Sequence, residues 1–251
     1  MGCLLTGVSF AKALAWSTGV PLVGVNHLEG HLTAAFLTAT PPEYPFVALL
    51  VSGGNTALVQ VTAFGAYKVL GSTRDDAAGE AFDKVGKLLG LGYPAGAEID
   101  RLARDGRADA YAFPRAMMHR GGLEFSFSGL KTSVLTFVRK HGTPVGQDLS
   151  DVCASFQEAV VDVLVSKTLK SLDQTGCTTV LASGGVAANS RLQVRLGDAV
   201  QKRGGVFHRL PLNLCTDNAA MIAWAGRHRL MSGERAPERM TAASGLTLDA
   251  S

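Results

Sequence analysis

The 251-residue sequence is poor in charge and in aromatic residues, and both shortages exclude classes of protein. Charged residues make up 18% of the chain and aromatic residues 7%, while hydrophobic residues reach 47%. A chain with this much apolar material and so little charge can build a full core, which excludes disorder as its main state. The 29 glycines follow no fixed period, which excludes a collagen-like fibre.

Long apolar runs and paired cysteines are also missing. No uncharged apolar run approaches the roughly 18 residues that a membrane span requires. Lys12 interrupts the apolar stretch at 1–25, and no small-residue cleavage site follows a basic start, which favours folded protein over a signal peptide. The four cysteines form no C-x-x-C pair, which favours reduced thiols and a cytoplasmic protein. They are Cys3, Cys153, Cys177 and Cys215.

Strand and helix signals alternate along the chain, and this alternation favours the α/β class. Strands are expected at 22–25, 46–51, 56–61, 67–70, 178–182 and 206–210, the second and third of them forming a hairpin. Helices are expected at 1–18, 27–38, 77–89, 97–104, 129–140, 149–172, 188–202 and 217–230. The segment 105–124 is expected to be irregular, and the chain after Gly233 to be loosely held.

The run His27-Leu28-Glu29-Gly30-His31 places two histidines four residues apart on one helix face. Two imidazoles at that spacing can bind one metal ion, although two unrelated histidines explain an isolated pair equally well. Glu29 points away from this face, unlike the glutamate of the H-E-x-x-H proteases. The pattern indicates a metal-site candidate that needs a third ligand, which spacing alone does not choose.

Two expected strands each end in Ser-Gly-Gly, at Ser52-Gly53-Gly54 and at Ser183-Gly184-Gly185. Glycine lets backbone N–H groups approach a phosphate, and the second turn leads into a helix whose N-terminus favours an anion. A tight hairpin turn explains the first run equally well. Together the two runs predict a nucleotide-binding cleft.

Carboxylates supply the remaining candidates. Asp83 and Asp100 flank a glycine-rich loop and could accept hydrogen bonds from ribose hydroxyls, although taken alone they favour an ordinary solvated helix followed by a loop. Asp217 is either the N-cap of the last helix or a metal ligand at a loop tip.

In this order, the motifs resemble the tRNA threonylcarbamoyladenosine transferase catalytic subunit family, formerly described as an O-sialoglycoprotein endopeptidase. The matching segments are 27–31, 52–54, 71–84, 92–100, 125–132, 183–192 and 215–226. The resemblance implies a two-lobed α/β fold of the actin/sugar-kinase/heat-shock ATPase type. Residues 1–100 would be the remainder of the first lobe, against which part of the final helix packs, and 101–251 a second lobe with a helical insertion. The N-terminal part of the family's first lobe has no counterpart here, which predicts an incomplete first lobe with an exposed sheet edge.

The resemblance also implies the site residues. One metal ion per chain, iron or zinc, would be held by His27, His31 and Asp217. The adenylate substrate would contact Leu50, Val51, Ser52, Gly53, Gly54, Asp83, Gly96, Asp100 and Asn189, with Gly184, Gly185 and Asn55 as additional candidates. Asn55 stands where the family usually has histidine and does not titrate near neutrality, so no proton transfer is expected there.

The implied reaction transfers a threonylcarbamoyl group from threonylcarbamoyl-adenylate to the N6 amine of the adenosine adjacent to the tRNA anticodon. The alternatives are a metal-dependent glycoprotein endopeptidase, a phosphotransferase on the same fold, or a truncated inactive fragment of the transferase. The implied partners are tRNA, the adenylate, and accessory subunits that include a same-fold paralogue and a small ATPase. No membrane partner is expected, and the expected location is the cytoplasm.

Overall fold

The computed structural model describes residues 2–248, so Met1 and residues 249–251, which the predicted first helix and second lobe include, lie outside the described residues. The described helices and strands largely follow the predicted order. The helices are α1 (Gly2–Thr18), α2 (His27–Thr33), α3 (Ala78–Leu88), α4 (Gly96–Ala103), α5 (Ser128–His141), α6 (Gly146–Thr175), α7 (Ser190–Gln201), α8 (Leu212–Cys215) and α9 (Ala219–Met231). The strands are β1 (Phe46–Val51), β2 (Thr56–Ala63), β3 (Ala66–Ser72), β4 (Thr179–Ser183) and β5 (Val206–Arg209). Two 3-10 turns follow α2 and β4, at Ala34–Leu37 and Gly185–Ala188.

The five strands form one mixed sheet in the order β3-β2-β1-β4-β5. β1 pairs antiparallel with β2, from Phe46 opposite Val61 to Val51 opposite Thr56, which confirms the predicted hairpin. β1 pairs in parallel with β4, and β4 in parallel with β5. All six residues of β1 are buried, as the continuous apolar run of a central strand predicts. The α/β class is confirmed.

Strands from both sides of residue 100 belong to this one sheet. Leu50 of β1 lies opposite Ser183 of β4 in the parallel register. A boundary at residue 100 therefore places β1, β2 and β3 in one predicted lobe and β4 and β5 of the same sheet in the other, and the division into 1–100 and 101–251 stays a prediction. The final helix, α9, does pack against α2.

The long helix α6 forms much of the core. Its apolar stripe, Val152, Phe156, Val160 and Leu164, is fully buried. Phe156 meets Phe82 of α3 edge to face, with ring centroids 5.1 Å apart. The stripe at i+4 spacing was readable from the sequence because an amphipathic helix places such residues on one face.

Two expectations near the chain ends are wrong. Residues 22–25 form no strand within the described chain; they pack instead along α9, where Gly226 faces Val23 and Val25. The segment after Gly233 is held in place, because Ala236 N–H donates to the Leu22 carbonyl at 2.7 Å. Lys12 of α1 donates to the carbonyls of Glu238 and Met240, and Leu248 is buried.

None of the helices described is both long enough and apolar enough to cross a lipid bilayer.

Candidate active site

Three side chains that are distant in sequence converge beside the sheet. His31 Nε2 lies 3.0 Å from Asp217 Oδ1, and His27 Nε2 lies 3.3 Å from the same oxygen. One potential ligand atom from each residue lies within 4.8 Å of the others. The structure thus brings the three predicted ligands together, although they come from α2 and from the loop before α9. Their role as metal ligands stays a prediction.

Helix capping sets the positions of these side chains. Asn26 caps α2 by accepting from Leu28 N–H at 2.9 Å, and Asn218 caps α9 by accepting from Met221 N–H at 2.9 Å. The interpretation of Asp217 as the N-cap is therefore wrong. Because Asn218 satisfies the helix, the carboxylate of Asp217 is free to face the histidines.

Close packing of α2 on α9 completes the cluster. Gly30, between the two histidines, lies so near Ile222 and Met221 that a Cβ atom there would contact both side chains. A glycine at this point lets the two helices approach closely.

The histidines have unequal surroundings. His31 is buried, with only 2% of its side chain exposed, whereas about half of His27 and most of Asp217 are exposed. Burial and the nearby His27 lower the pKa of His31, against the opposing effect of Asp217. The lowered pKa favours the neutral form of His31, the form in which imidazole binds a metal. The Ser183 hydroxyl lies 3.5 Å from His31 Nδ1, on the side away from Asp217.

Two imidazole nitrogens and one carboxylate oxygen are a donor set that suits zinc or ferrous iron. His27 and Asp217 are open to solvent, so an ion held here would keep coordination positions for other ligands. The residues present fit the implied metal.

The two Ser-Gly-Gly turns lie side by side at the carboxyl ends of β1 and β4. Gly184 has φ +99°, and a Cβ atom there would overlap the carbonyl oxygen of Val51. Its N–H donates to the Cys215 carbonyl at 3.0 Å, which ties the second turn to the segment carrying Asp217. The carboxyl ends of parallel strands are where α/β sheets bind ligands.

A cavity of about 640 Å³ opens beside the first turn. This volume falls within the usual range for ligand pockets. Two predicted adenylate contacts, Gly53 and Asp83, are among its lining residues. The others are Glu80, Lys84, Lys87, Leu91, Gly92 and Tyr93.

The first turn also has contacts of its own. Asn55 closes it, since its N–H donates to Ser52 Oγ at 3.1 Å and its carbonyl accepts from Ser52 N–H at 2.8 Å. Gly54, Gly185 and Gly96, the last of which opens α4, have no neighbouring atom where a Cβ would stand. Leu50 and Val51 are buried as whole residues, and their contact with a substrate stays a prediction.

The other predicted binding residues already have protein partners. Asp83 Oδ1 accepts from Ala95 N–H at 2.8 Å and so fixes the loop before α4. Asp100 accepts from the Ser190 hydroxyl at 2.8 Å. Asn189 caps α7 and donates to Gln157 at 2.6 Å. These contacts fit a purely structural role for Asp83, Asp100 and Asn189, and substrate binding by these residues stays a prediction.

Sequence reasoning missed two features of the site. It gave no role to Ser183 beyond its place before Gly184, although the end of a buried strand beside a glycine turn is a typical site position. It set Glu29 aside as pointing away from the metal face, and the structure confirms that orientation. Glu29 binds Arg229 and Tyr67 instead, partners that no local pattern reveals.

The five-stranded mixed sheet and its packed helices define an α/β fold, which is consistent with the actin/sugar-kinase/heat-shock ATPase type. HypF from T. kodakarensis matches with a TM-score of 0.68 at 15% identity, over 90% of this chain and 39% of that one. An activator of 2-hydroxyisocaproyl-CoA dehydratase from Clostridium difficile matches with a TM-score of 0.51 at 13% identity, over 85% of this chain and 71% of that one. Both likenesses concern the fold alone.

The chain belongs to the tRNA N6-adenosine threonylcarbamoyltransferase family, whose TsaD family model matches residues 1–224. The transferase of that name from Anaeromyxobacter dehalogenans strain 2CP-1 is 55% identical over 237 residues, which cover 94% of this chain and 71% of the relative. The one from Desulfitobacterium hafniense strain Y51 is 53% identical over 251 residues, 99% of this chain and 73% of the relative. The predicted family is confirmed.

Proposed function

We propose that this chain transfers a threonylcarbamoyl group from threonylcarbamoyl-adenylate to the N6 amine of the adenosine adjacent to the tRNA anticodon. The observation that carries the proposal is the convergence of His27, His31 and Asp217 next to paired glycine turns, in a chain of this family. The amine is a weak nucleophile, so the protein must hold donor and acceptor in a reactive geometry.

The three converging side chains would hold one iron or zinc ion. When bound, that ion supplies Lewis-acid polarisation of a donor carbonyl. Buried His31 offers a neutral imidazole, and the hydroxyl of Ser183 restrains the far side of its ring.

The glycine turns and the adjoining cavity would hold the adenylate. Gly53 lines the cavity, and the second turn packs on the end of β1. Without side chains in the way, the backbone N–H groups of Gly53, Gly54 and Gly185 can approach a phosphate and stabilise the leaving adenylate. Carboxylates such as Asp83 would accept hydrogen bonds from ribose hydroxyls.

The endopeptidase alternative requires a general base beside a bound metal, and the glutamate between the two histidines does not provide one. A two-histidine metalloprotease needs a carboxylate next to the metal-bound water. Glu29, the carboxylate between the histidines, is fully buried and bound to Arg229, which makes it unsuited to that role.

A nucleoside assay tests the proposal. The full chain is incubated with tRNA, threonylcarbamoyl-adenylate and the expected accessory subunits, and the digested tRNA is analysed by mass spectrometry. His31→Ala and Asp217→Ala are each expected to lower the modification rate at least about 100-fold, while His141→Ala, at an exposed position on α5, keeps the wild-type rate.

Wild-type rates in both site variants would contradict the proposal. Cleavage of a sialoglycoprotein by the wild type but not by His31→Ala would favour the endopeptidase instead.

The partners follow from the same proposal. They are tRNA, the adenylate substrate, and accessory subunits that include a same-fold paralogue and a small ATPase, and the proposed location is the cytoplasm. Co-purification of the tagged chain from cytoplasmic extract, followed by mass spectrometry, tests this set.

A further inference from the structure

Glu29 is a charged residue with 0% of its surface exposed, and its carboxylate has three donors. Arg229 donates to it twice, from Nε at 2.6 Å and from Nη2 at 3.0 Å. The Tyr67 hydroxyl donates to Oε1 at 2.9 Å. A buried carboxylate is retained only when it is fully paired, and this one is.

The position of this ion pair links the two elements that carry the candidate metal ligands. Glu29 lies on α2 midway between His27 and His31, and Arg229 lies on α9, the helix that Asp217 precedes. Gly30 already contacts α9 near its first turn, at Met221 and Ile222.

The ion pair adds a second attachment two turns further along α9. The Gly30 contact and the Glu29–Arg229 ion pair lie at different positions along the axis of α9. Together they oppose rotation and sliding of α2 on α9.

We propose that Glu29 is a positioning residue of the metal centre. Its bidentate pairing with Arg229, supported by Tyr67, holds α2 and α9 in the register in which His27, His31 and Asp217 reach one ion. Bidentate arginine–carboxylate pairs fix orientation as well as distance, which suits this task. The inference rests on the proposed function, because it assumes that these three residues bind a metal.

If the Glu29–Arg229 ion pair only stabilised the fold, breaking it would affect metal binding no more than breaking a similar ion pair elsewhere. The chain offers such a pair as a control. Glu158 of α6 is also largely buried and is bound by Arg191 at 2.7 and 3.0 Å and by Arg195, and none of these hydrogen bonds reaches α2 or α9. Glu29→Gln and Glu158→Gln therefore remove the same charge from comparable ion pairs, one beside the cluster and one away from it.

The experiment titrates the full chain with Co²⁺ and follows the visible absorption of the bound ion. Glu29→Gln is expected to weaken Co²⁺ binding about tenfold or more and to alter the absorption band, as contacts behind metal ligands commonly do. Glu158→Gln is expected to bind Co²⁺ within about twofold of the wild type and with an unchanged band, even if its melting temperature falls by as much as that of Glu29→Gln.

A Glu29→Gln variant with wild-type affinity and an unchanged band would overturn the inference. Equal Co²⁺ binding by the wild type and His31→Ala would instead overturn the metal site itself, and the inference with it. If Glu29→Gln does not fold, the double variant Glu29→Gln/Arg229→Met removes both buried charges together and is judged by the same two criteria; it leaves only the half-exposed Glu234 without its partner Arg229.

Discussion

Gly184 shows how much one missing side chain can decide at the residue scale. Its φ of +99° and its contact with the Val51 carbonyl allow the second glycine turn to pack on the end of β1. Gly185, the next residue, has open space where a Cβ would stand. Close packing therefore requires glycine at position 184 but not at position 185.

Gly184→Ala is expected to lower the free energy of unfolding by about 1–3 kcal/mol, because alanine is strained at this φ and its Cβ overlaps backbone. Gly185→Ala is expected to stay within about 0.5 kcal/mol of the wild type. Urea unfolding followed by circular dichroism measures both. Equal losses in the two variants would show that the contact with Val51 does not matter.

The start of α9 illustrates the element scale. Its N-cap, Asn218, directly follows Asp217, so one residue ends the loop and the other faces the histidines. The N-cap alternative that the sequence offered for Asp217 lies one residue too early, because both side chains favour that position and their order alone does not separate them.

Asn218→Ala is expected to cost about 1 kcal/mol of unfolding free energy through loss of the bond to Met221 N–H, while Asn218→Asp retains the cap. Thermal unfolding of the two variants and the wild type provides the measurement. If the alanine variant melts with the wild type, Asn218 does not cap α9.

Asp151 fastens α6 to the irregular segment before α5. It accepts from the Arg107 N–H at 2.9 Å, from the Arg107 guanidinium at 2.8 and 3.1 Å, and from Gln147 at 2.9 Å. The backbone and side-chain bonds from Arg107, with that from Gln147, lower the pKa of Asp151 to about 2.

A carboxyl group whose pKa is lower in the folded than in the unfolded chain stabilises the fold above its unfolded pKa. That stabilisation is lost as the pH falls from about 4 through about 2. The wild type is therefore expected to be more stable than Asp151→Asn at pH 7, and the difference is expected to shrink steadily over this range. Unfolding curves from pH 7 to pH 2.5 check it, with Arg107→Met as a parallel variant. A difference that stays constant with pH would contradict the assignment.

Elements with strong local signals were predictable. The apolar run of β1 and the buried stripe of α6 are where the sequence places them, because burial on both faces or on one stripe leaves a direct pattern. The strand expected at 22–25 is absent because an apolar run indicates only that a segment packs against other residues, and none of residues 22–25 is fully buried. Its neighbour is the helix α9, not a sheet.

At the scale of the whole molecule, the two ends of the described chain hold one another. α1 buries none of its side chains, and Lys12 attaches it to the segment after Gly233. That segment also receives a hydrogen bond from Asn26, the N-cap of α2, through the Thr247 carbonyl at 3.0 Å. The residues after Gly233 therefore support the helix that carries both histidines.

Ending the chain at Gly233 is expected to lower the melting temperature by several degrees and to speed proteolysis within α1, because these attachments are lost. The 251-residue chain retains them and is the reference. Calorimetry and timed digestion with mass spectrometry compare the two. Equal behaviour of the truncated chain and the reference would show that the segment contributes nothing to α1.

The site was predictable only in part. The histidine pair and the glycine turns have short-range patterns, whereas the choice of Asp217 came from family resemblance, because spacing does not reveal a partner 186 residues away. The Arg229–Glu29 pair spans 200 residues and left no trace in local periodicity. Long-range pairing of this kind depends on the packing of complete helices, which a linear pattern does not contain.

The same separation has a consequence for synthesis. A nascent polypeptide that has emerged from the ribosome only as far as β5 already contains His27 and His31 but still lacks Asp217. The three side chains can converge only after Asp217 has emerged and α9 has docked on α2, so a metal ion held by them would bind only after this part of the chain has folded.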